Sequence, residues 1–304
     1  METHMKKIIS VALAFACSTF LFAQNQNLVL TVNDQPINLE LAFEDEFNGT
    51  RIDQKNWKVR TGVTRDAKQE VTRQWLLPEM VSVNNGNCVI RTIPNQRVNQ
   101  EFSVWITDGM KPFKGNFSYD TGEFESVEAF HWGYYEIKCK LPKGKEAWPA
   151  FWLYGEADGT NNEIDVFEFW NESTAFGKLN EKKLSRVQHA TVHYHGSMDG
   201  EGYDLKFDGS QDFHTYGVLW MPTYIVWYTD GQPIRTLYRY TKRRDRKKGD
   251  VAEGRNENVF PRAPMHILVD MAMQQTKNEA SPLEVPDFVI DYVKYFKIST
   301  DPKK

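Results

Sequence analysis

The chain has 304 residues, 40% of them apolar and 26% charged, which suffices for one large buried core and does not call for a second domain. Thirty-seven basic against forty-one acidic residues leave a formal charge of −4, too near neutral to imply a nucleic-acid partner, and none is expected. Aromatic residues make up 13%, nine of them Trp, a stock of flat rings suited to sugar faces as well as to core filling.

Lys6-Lys7 followed by apolar and small residues from Ile8 to Phe22 reads as an export signal. Its hydrophobic stretch of about fifteen residues is shorter than the ~20 that cross a bilayer. Residues 1–23 are therefore read as a signal peptide cut after Ala23, and 24–304 as a single domain. The expected product is secreted or periplasmic and does not span a membrane. Cys17 raises a lipoprotein alternative, but Phe15 is too bulky for a lipobox.

From residue 27 onward, short apolar or alternating runs are separated by turn residues. Strands are expected at 28–32, 39–43, 89–93, 102–106, 122–130, 134–141 and 150–154. Others are expected at 163–170, 187–194, 213–220, 225–228, 265–273 and 288–298. Asp230-Gly231, between 224–229 and 233–238, is a two-residue hairpin signal. No segment carries sustained helical periodicity, so the expected fold class is all-β, with two packed antiparallel sheets. Past the signal only Cys88 and Cys139 remain. Each reads as a small buried hydrophobe, and a disulfide between them would need Cα atoms within ~7 Å. No His/Cys cluster has zinc spacing.

The informative stretch is Glu163-Ile164-Asp165-Val166-Phe167-Glu168-Phe169-Trp170. Three acids stand in an apolar, β-branched and aromatic run without Gly or Pro, the signature of a strand. Strand alternation puts Glu163 and Asp165 on one face but sends Glu168, five positions from Glu163, to the other, where it would be buried at high cost. One extra residue, a β-bulge at Val166-Phe167, returns Glu168 to the face of the other two acids. Acetal cleavage needs one protonated and one ionised carboxyl, and carboxylates held close together push their pKa values apart. A solvated surface helix would also tolerate E-x-D-x-x-E, but not with Val-Phe and Phe-Trp beside it.

Glu163-x-Asp165-x-x-Glu168 resembles the bulged catalytic motif of glycoside hydrolase family 16. The resemblance continues in Phe43-Glu44-Asp45-Glu46-Phe47-Asn48-Gly49 with Asp53 and Trp57, in Gly133-Tyr134-Tyr135-Glu136, and in Trp148-Pro149-Ala150-Phe151-Trp152-Leu153. Phe213-His214-Thr215-Tyr216 with Trp220, Asp230-Gly231 and Ile290-Asp291-Tyr292-Val293 complete the order. It implies a β-jelly-roll sandwich with a concave substrate cleft. It also implies Glu163 as nucleophile, Glu168 as general acid/base and Asp165 as the residue that tunes and orients them, in a retaining, endo-acting enzyme.

What the resemblance implies for the substrate is a β-1,3- or β-1,3/1,4-glucan, or a β-galactan of the agar, porphyran or carrageenan type. Ile267 to Gln274 lacks the paired Gly of the laminarinase-like Asn-Leu-Ala-x-Gly-Gly stretch, which keeps the galactans in play. A non-catalytic, lectin-like module is the alternative from another class. Trp148, Trp152 and Trp170 are candidate sugar platforms, His193 a hydrogen-bond partner of the acid/base or the leaving sugar, and Asn162 a hydroxyl-positioning group. Arg73 and Trp132 are further candidates for substrate contact. Glu44, Gly49 and Asp291 resemble positions that hold a structural Ca²⁺ in parts of the family, and no cofactor is expected for catalysis. A monomer is expected. Arg239 to Lys248, with seven basic residues and one acid, reads as a solvated loop, or as a grip on an anionic glycan if it borders the cleft.

Overall fold

The computed structural model describes residues 27–63, 73–106, 109–157, 159–170, 183–194, 196–244, 251–255, 260–274 and 284–299. The expected signal peptide lies outside these residues, as do Arg246, Lys247 and Lys248 of the basic segment. Among the described residues no helix is long and apolar enough to cross a membrane.

Two antiparallel sheets pack face to face as a β-jelly-roll sandwich. One runs in spatial order Asn27–Val32, Gln35–Asp45, Phe288–Ile298, Gly133–Lys140, His214–Trp220, Tyr224–Thr229 and Gln232–Tyr238, with Val81–Asn84 and Asn87–Ile90 attached beside Phe288–Ile298. The other has seven strands in the order Ser197–Asp204, Val187–Tyr194, Thr160–Glu168, Ala147–Ala157, His266–Met273, Glu123–Ser126 and Trp57–Val59. The acid-bearing strand is thus third from one edge, flanked by its two sequence neighbours.

Period-two patterning decides what faces the core. In Gly133–Lys140 the side chains of Tyr135, Ile137 and Cys139 are buried between the sheets, while Glu136, Lys138 and Lys140 alternate with them on the other face. Opposite lie Ile164, Val166, Phe167 and Phe169, with Phe167 edge-on to Tyr216 at 4.9 Å. Truncating so enclosed a ring to Ala is expected to cost about 3–5 kcal/mol. The outer face of the larger sheet is apolar too, and the N-terminal hairpin folds over it. Val32 and Leu39 pack on Tyr134, Leu219, Val226, Tyr228 and Phe296, and the Tyr238 hydroxyl donates to Asn33 Oδ1 at 3.0 Å in the hairpin turn.

Cys88 and Cys139 are both free and both stand opposite Ile290, on either side of the strand that carries it. Two strand spacings separate them, about 9.6 Å, too far for a disulfide. The Asp230-Gly231 hairpin forms as expected, with φ of 47° and 71° at its two turn residues. Two elements extend beyond what the sequence patterning marks, the first of them expected only over 102–106. One is the long hairpin Ile93–Ile106 with Gly109–Thr121; the other is the edge strand Ser197–Asp204, in which a Cβ on Gly200 would stand 2.8 Å from Thr191 Oγ1.

Candidate active site

The acid-bearing strand contains one residue more than its neighbours. Phe167 pairs with Phe151 and Asp165 with Trp152 on one side, while Asp165 pairs with Thr191 and Glu168 with His189 on the other. The extra residue turns Val166 and Phe167 both into the core, so Glu163, Asp165 and Glu168 share the outward face, as the patterning of the strand requires. Carbonyls displaced from the ladder at the bulge find side-chain donors. Trp227 Nε1, reaching across from the opposite sheet, donates to Asp165 O at 2.8 Å, and Gln188 Nε2 donates to Val166 O at 2.9 Å. Neither residue stood out in the sequence. The signal that marks Gln188 is an amide in phase with core-facing Ala190 and Val192, and it shows only once the strand's faces are known.

The three acids differ in environment. Glu163 is half-buried, whereas Asp165 and Glu168 are 1% and 6% exposed. Burial, with Glu168 and Glu163 adding like charge, raises the Asp165 carboxyl well above the ordinary carboxylate range. Its nearest donor is His193 Nε2, 3.3 Å from Oδ2. Burial by itself would lower the His193 imidazole, but Asp165, Glu163 and Glu168 outweigh it and hold the ring up to about 9. The cluster is therefore a buried carboxyl with raised proton affinity between two glutamates, with an imidazole held toward its charged form beside it. Among the described residues, Glu163, Asp165 and His193 are also the one group whose metal-ligating atoms come together, within 4.8 Å of one another.

The tryptophans divide. Trp148 Nε1 donates to Glu168 Oε1 at 3.0 Å, so this ring supports the acid as well as flanking it. Trp170 stands edge-on to Trp148, 5.2 Å between centroids, and lies flat against His189 at 4.8 Å and 18°. Trp152 is 8% exposed and packs with Ala150 and Leu268 on the outward face rather than between the sheets, its Nε1 donating to Asp270 Oδ1 at 2.9 Å. Trp132 stacks on His131, whose ring bonds Arg262 O, at the Asn162 end of the sheet.

Other expected contacts fall elsewhere. Asn162 is 1% exposed and is a backbone tie: its Oδ1 accepts from Arg262 N and Ala263 N at 2.8 and 3.2 Å, and its Nδ2 donates to Thr160 O. Its even offset from Ile164 already sends it inward, so the hydroxyl-positioning role expected of it is not available. Arg73 donates through Nε and Nη2 to Ser118 Oγ, lies 3.9 Å from Glu146, and is tied by its backbone N–H to Met273 O, beside the start of the Trp148 strand. Glu44 and Gly49 line a surface cavity of about 350 Å³ with Asp45, Glu46 and Asp53. Asp291 does not join them there; its carboxylate pairs with Lys138 at 2.7 Å, and Lys294 reaches Glu44 and Glu46. Arg243 and Arg244 lie on the strand Tyr240–Arg244, paired with Val251–Arg255, and their side chains are outside the described set.

Residues 80–294, most of the sandwich and all three acids, match the family model of glycosyl hydrolases family 16. The chain belongs to that family. A β-glucanase of Acetivibrio thermocellus is 31% identical over 173 residues, covering 56% of this chain and 46% of its own. The endo-1,3-1,4-β-glycanase ExsH of Rhizobium meliloti is 26% identical over 288 residues, covering 86% of this chain and 53% of its own. The chain thus spans about half the length of the curated relatives it matches. A solved structure from work on endo-acting O-glycanases, with which prominent members of the human gut microbiota initiate mucin breakdown, superposes with a TM-score of 0.63. It is 25% identical, over 86% of this chain and 91% of that one. Within this family 16 frame the bulged strand, the three acids and the flanking tryptophans form one continuous patch.

Proposed function

We propose that the protein is an exported, retaining, endo-acting β-glycosidase whose nucleophile is Glu163 and whose acid/base is Glu168. The observation that carries this reading is the bulge, which turns three carboxyls to one face although their spacing would divide them. Glu163 attacks the anomeric carbon while Glu168 protonates the leaving oxygen. Glu168 then takes a proton from water, which displaces Glu163. Trp148 holds the carboxyl of Glu168 in place through its indole N–H. A lectin-like module has no use for carboxyls buried to 1% and 6%, which are costly unless their protonation states are put to work.

The substrate in this proposal is a β-glucan or a β-galactan. The β-glucanase relatives favour the first. The second is favoured by the strand His266–Met273, in which buried Ile267, Val269 and Met271 continue without the paired glycines, and the likeness to a structure from work on mucin O-glycanases adds mucin O-glycans to the substrates to be tried. Incubation with laminarin, mixed-linkage glucan, agarose, porphyran, carrageenan and mucin O-glycans tests the choice, with product anomers followed by NMR. Oligosaccharides released with the β-anomer first support the reading; release of the α-anomer would overturn retention, and no release from any of them would overturn the enzyme. A structural Ca²⁺ at the Glu44–Gly49 cavity is a separate proposal that Asp291 joins only by leaving Lys138. Chelation should lower Tm if the ion is held. Export by the leader 1–23 is part of the proposal, and an N-terminus at Gln24 in the mature protein would support it.

A further inference from the structure

A bulge is a local fault in hydrogen bonding, and this one has dedicated partners in the core. Two polar side chains reach it and a third, Thr229, braces one of them, all three nine-tenths or more buried. Trp227 comes from Tyr224–Thr229 in the opposite sheet and donates to Asp165 O. Gln188, on the neighbouring strand, donates to Val166 O, and its own Oε1 accepts from the hydroxyl of Thr229 at 2.6 Å. The two carbonyls so held belong to Asp165, the last residue in register, and to Val166, the residue left without a partner on either neighbouring strand. Arg235 in turn lies 4.7 Å over the Trp227 ring, so the indole is fixed from its other side. An amide inside an apolar core is unfavourable unless its hydrogen bonds are made, and here both its donor and its acceptor are engaged, one on the bulge and one on Thr229.

We propose that Gln188, Thr229 and Trp227 are positioning residues that lock the bulge in register and thereby set where Glu168 stands relative to Glu163. The inference rests on the roles proposed above for these two acids. Its consequence is that the opposite sheet, through Trp227 and Thr229, helps to control the proton-transfer step. If the bulge slid along the strand, Val166 or Phe167 would turn outward and Glu168 inward, because a one-residue shift reverses every face beyond it. Smaller drifts would leave the fold intact and misplace the acid.

The test compares two substrates that differ in their need for an acid. Cleavage of the polysaccharide requires Glu168 to protonate a poor leaving group, whereas a dinitrophenyl β-glycoside of the preferred oligosaccharide departs without a proton. Gln188→Met, Thr229→Val and Trp227→Phe each delete one link while keeping bulk. The expected result is a kcat/KM on polysaccharide lower by about ten- to a hundredfold and a much smaller loss of kcat/KM on the dinitrophenyl substrate, because kcat/KM reports the first step alone, whereas Glu168 serves as the base toward water in the second step with either substrate. A purely structural role would lower Tm and affect kcat/KM on both substrates equally, and that outcome overturns the proposal, as does unchanged kcat/KM on both. Should Trp227→Phe fail to fold, Gln188→Met and Thr229→Val decide the matter. Glu168→Ala serves as the control for the underlying reading: it must show the same split between substrates in its strongest form. If it does not, the assignment of the acid fails, whatever the lock variants do.

Discussion

His193 and His189 stand four residues apart on one strand and face the same way, yet they carry opposite charge states. Beside Asp165, His193 is held up to about 9 against the pull of burial. Against the flat face of Trp170, with 1% of its surface exposed, His189 is pushed by burial down to about 4. The bulge runs between them, since Asp165 pairs with Thr191 and Glu168 with His189. One end of the patch is thus a cluster of ionisable groups around Asp165 and His193, and the other is aromatic, with an imidazole that burial keeps from charging. The difference shows that neighbours on the next strand, rather than residue type, decide what a histidine does here.

The largest expected effect comes from breaking the charged end at its nucleophile. Glu163→Ala should reduce hydrolysis by roughly 10⁴-fold or more while oligosaccharide binding, measured by calorimetry, survives at the aromatic end. Retention of a sizeable fraction of kcat would reassign the nucleophile.

Next comes Asp165→Asn, which removes the buried carboxyl between the two glutamates. We expect kcat to fall by about a hundredfold and the basic limb of the pH profile to move to lower pH if a charge on Asp165 sets that limb by repulsion; an unchanged limb would assign the tuning elsewhere. The same change takes away the main partner of His193, so NMR titration should find that imidazole well below about 9.

His193→Gln should act more mildly, with about a tenfold loss in kcat. It also sharpens the comparison through stability. A folded value of about 9 against an ordinary 6.5 means that the pairing stabilises the fold fully below pH 6.5 and loses that contribution as pH rises through about 9. Wild-type Tm should therefore decline across that window more steeply than Tm of the variant. Parallel curves would mean that the pairing contributes nothing.

The smallest effect on activity is expected of His189→Phe, which keeps a flat ring against Trp170. Because His189 is neutral in the fold and its value is depressed to about 4, its contribution to stability is present above pH 6.5 and is lost as pH falls through about 4. The variant should match wild type near neutral pH and outlast it under acid denaturation. An unchanged acid transition would show that other groups govern it.

Period-two alternation is a property of the backbone, so three acids in an apolar run already demanded a strand, and the odd offset of Glu168 demanded a bulge near Val166. Both are found, as is the Asp230-Gly231 turn, whose residues accept positive φ. The family motif, its order along the chain and the face of each acid were legible for the same local reason. Long-range pairing settled the remainder. Cys88 and Cys139 are kept apart by a strand more than a hundred residues beyond either, and Asn162 serves the backbone of Arg262 and Ala263 rather than a ligand. Trp148 meets Glu168 and His193 meets Asp165 only because their strands are adjacent in the sheet. The grip of Gln188 and Trp227 on the bulge depends on two sheets closing over one core, and no pattern within either strand announces which carbonyl a buried side chain will reach.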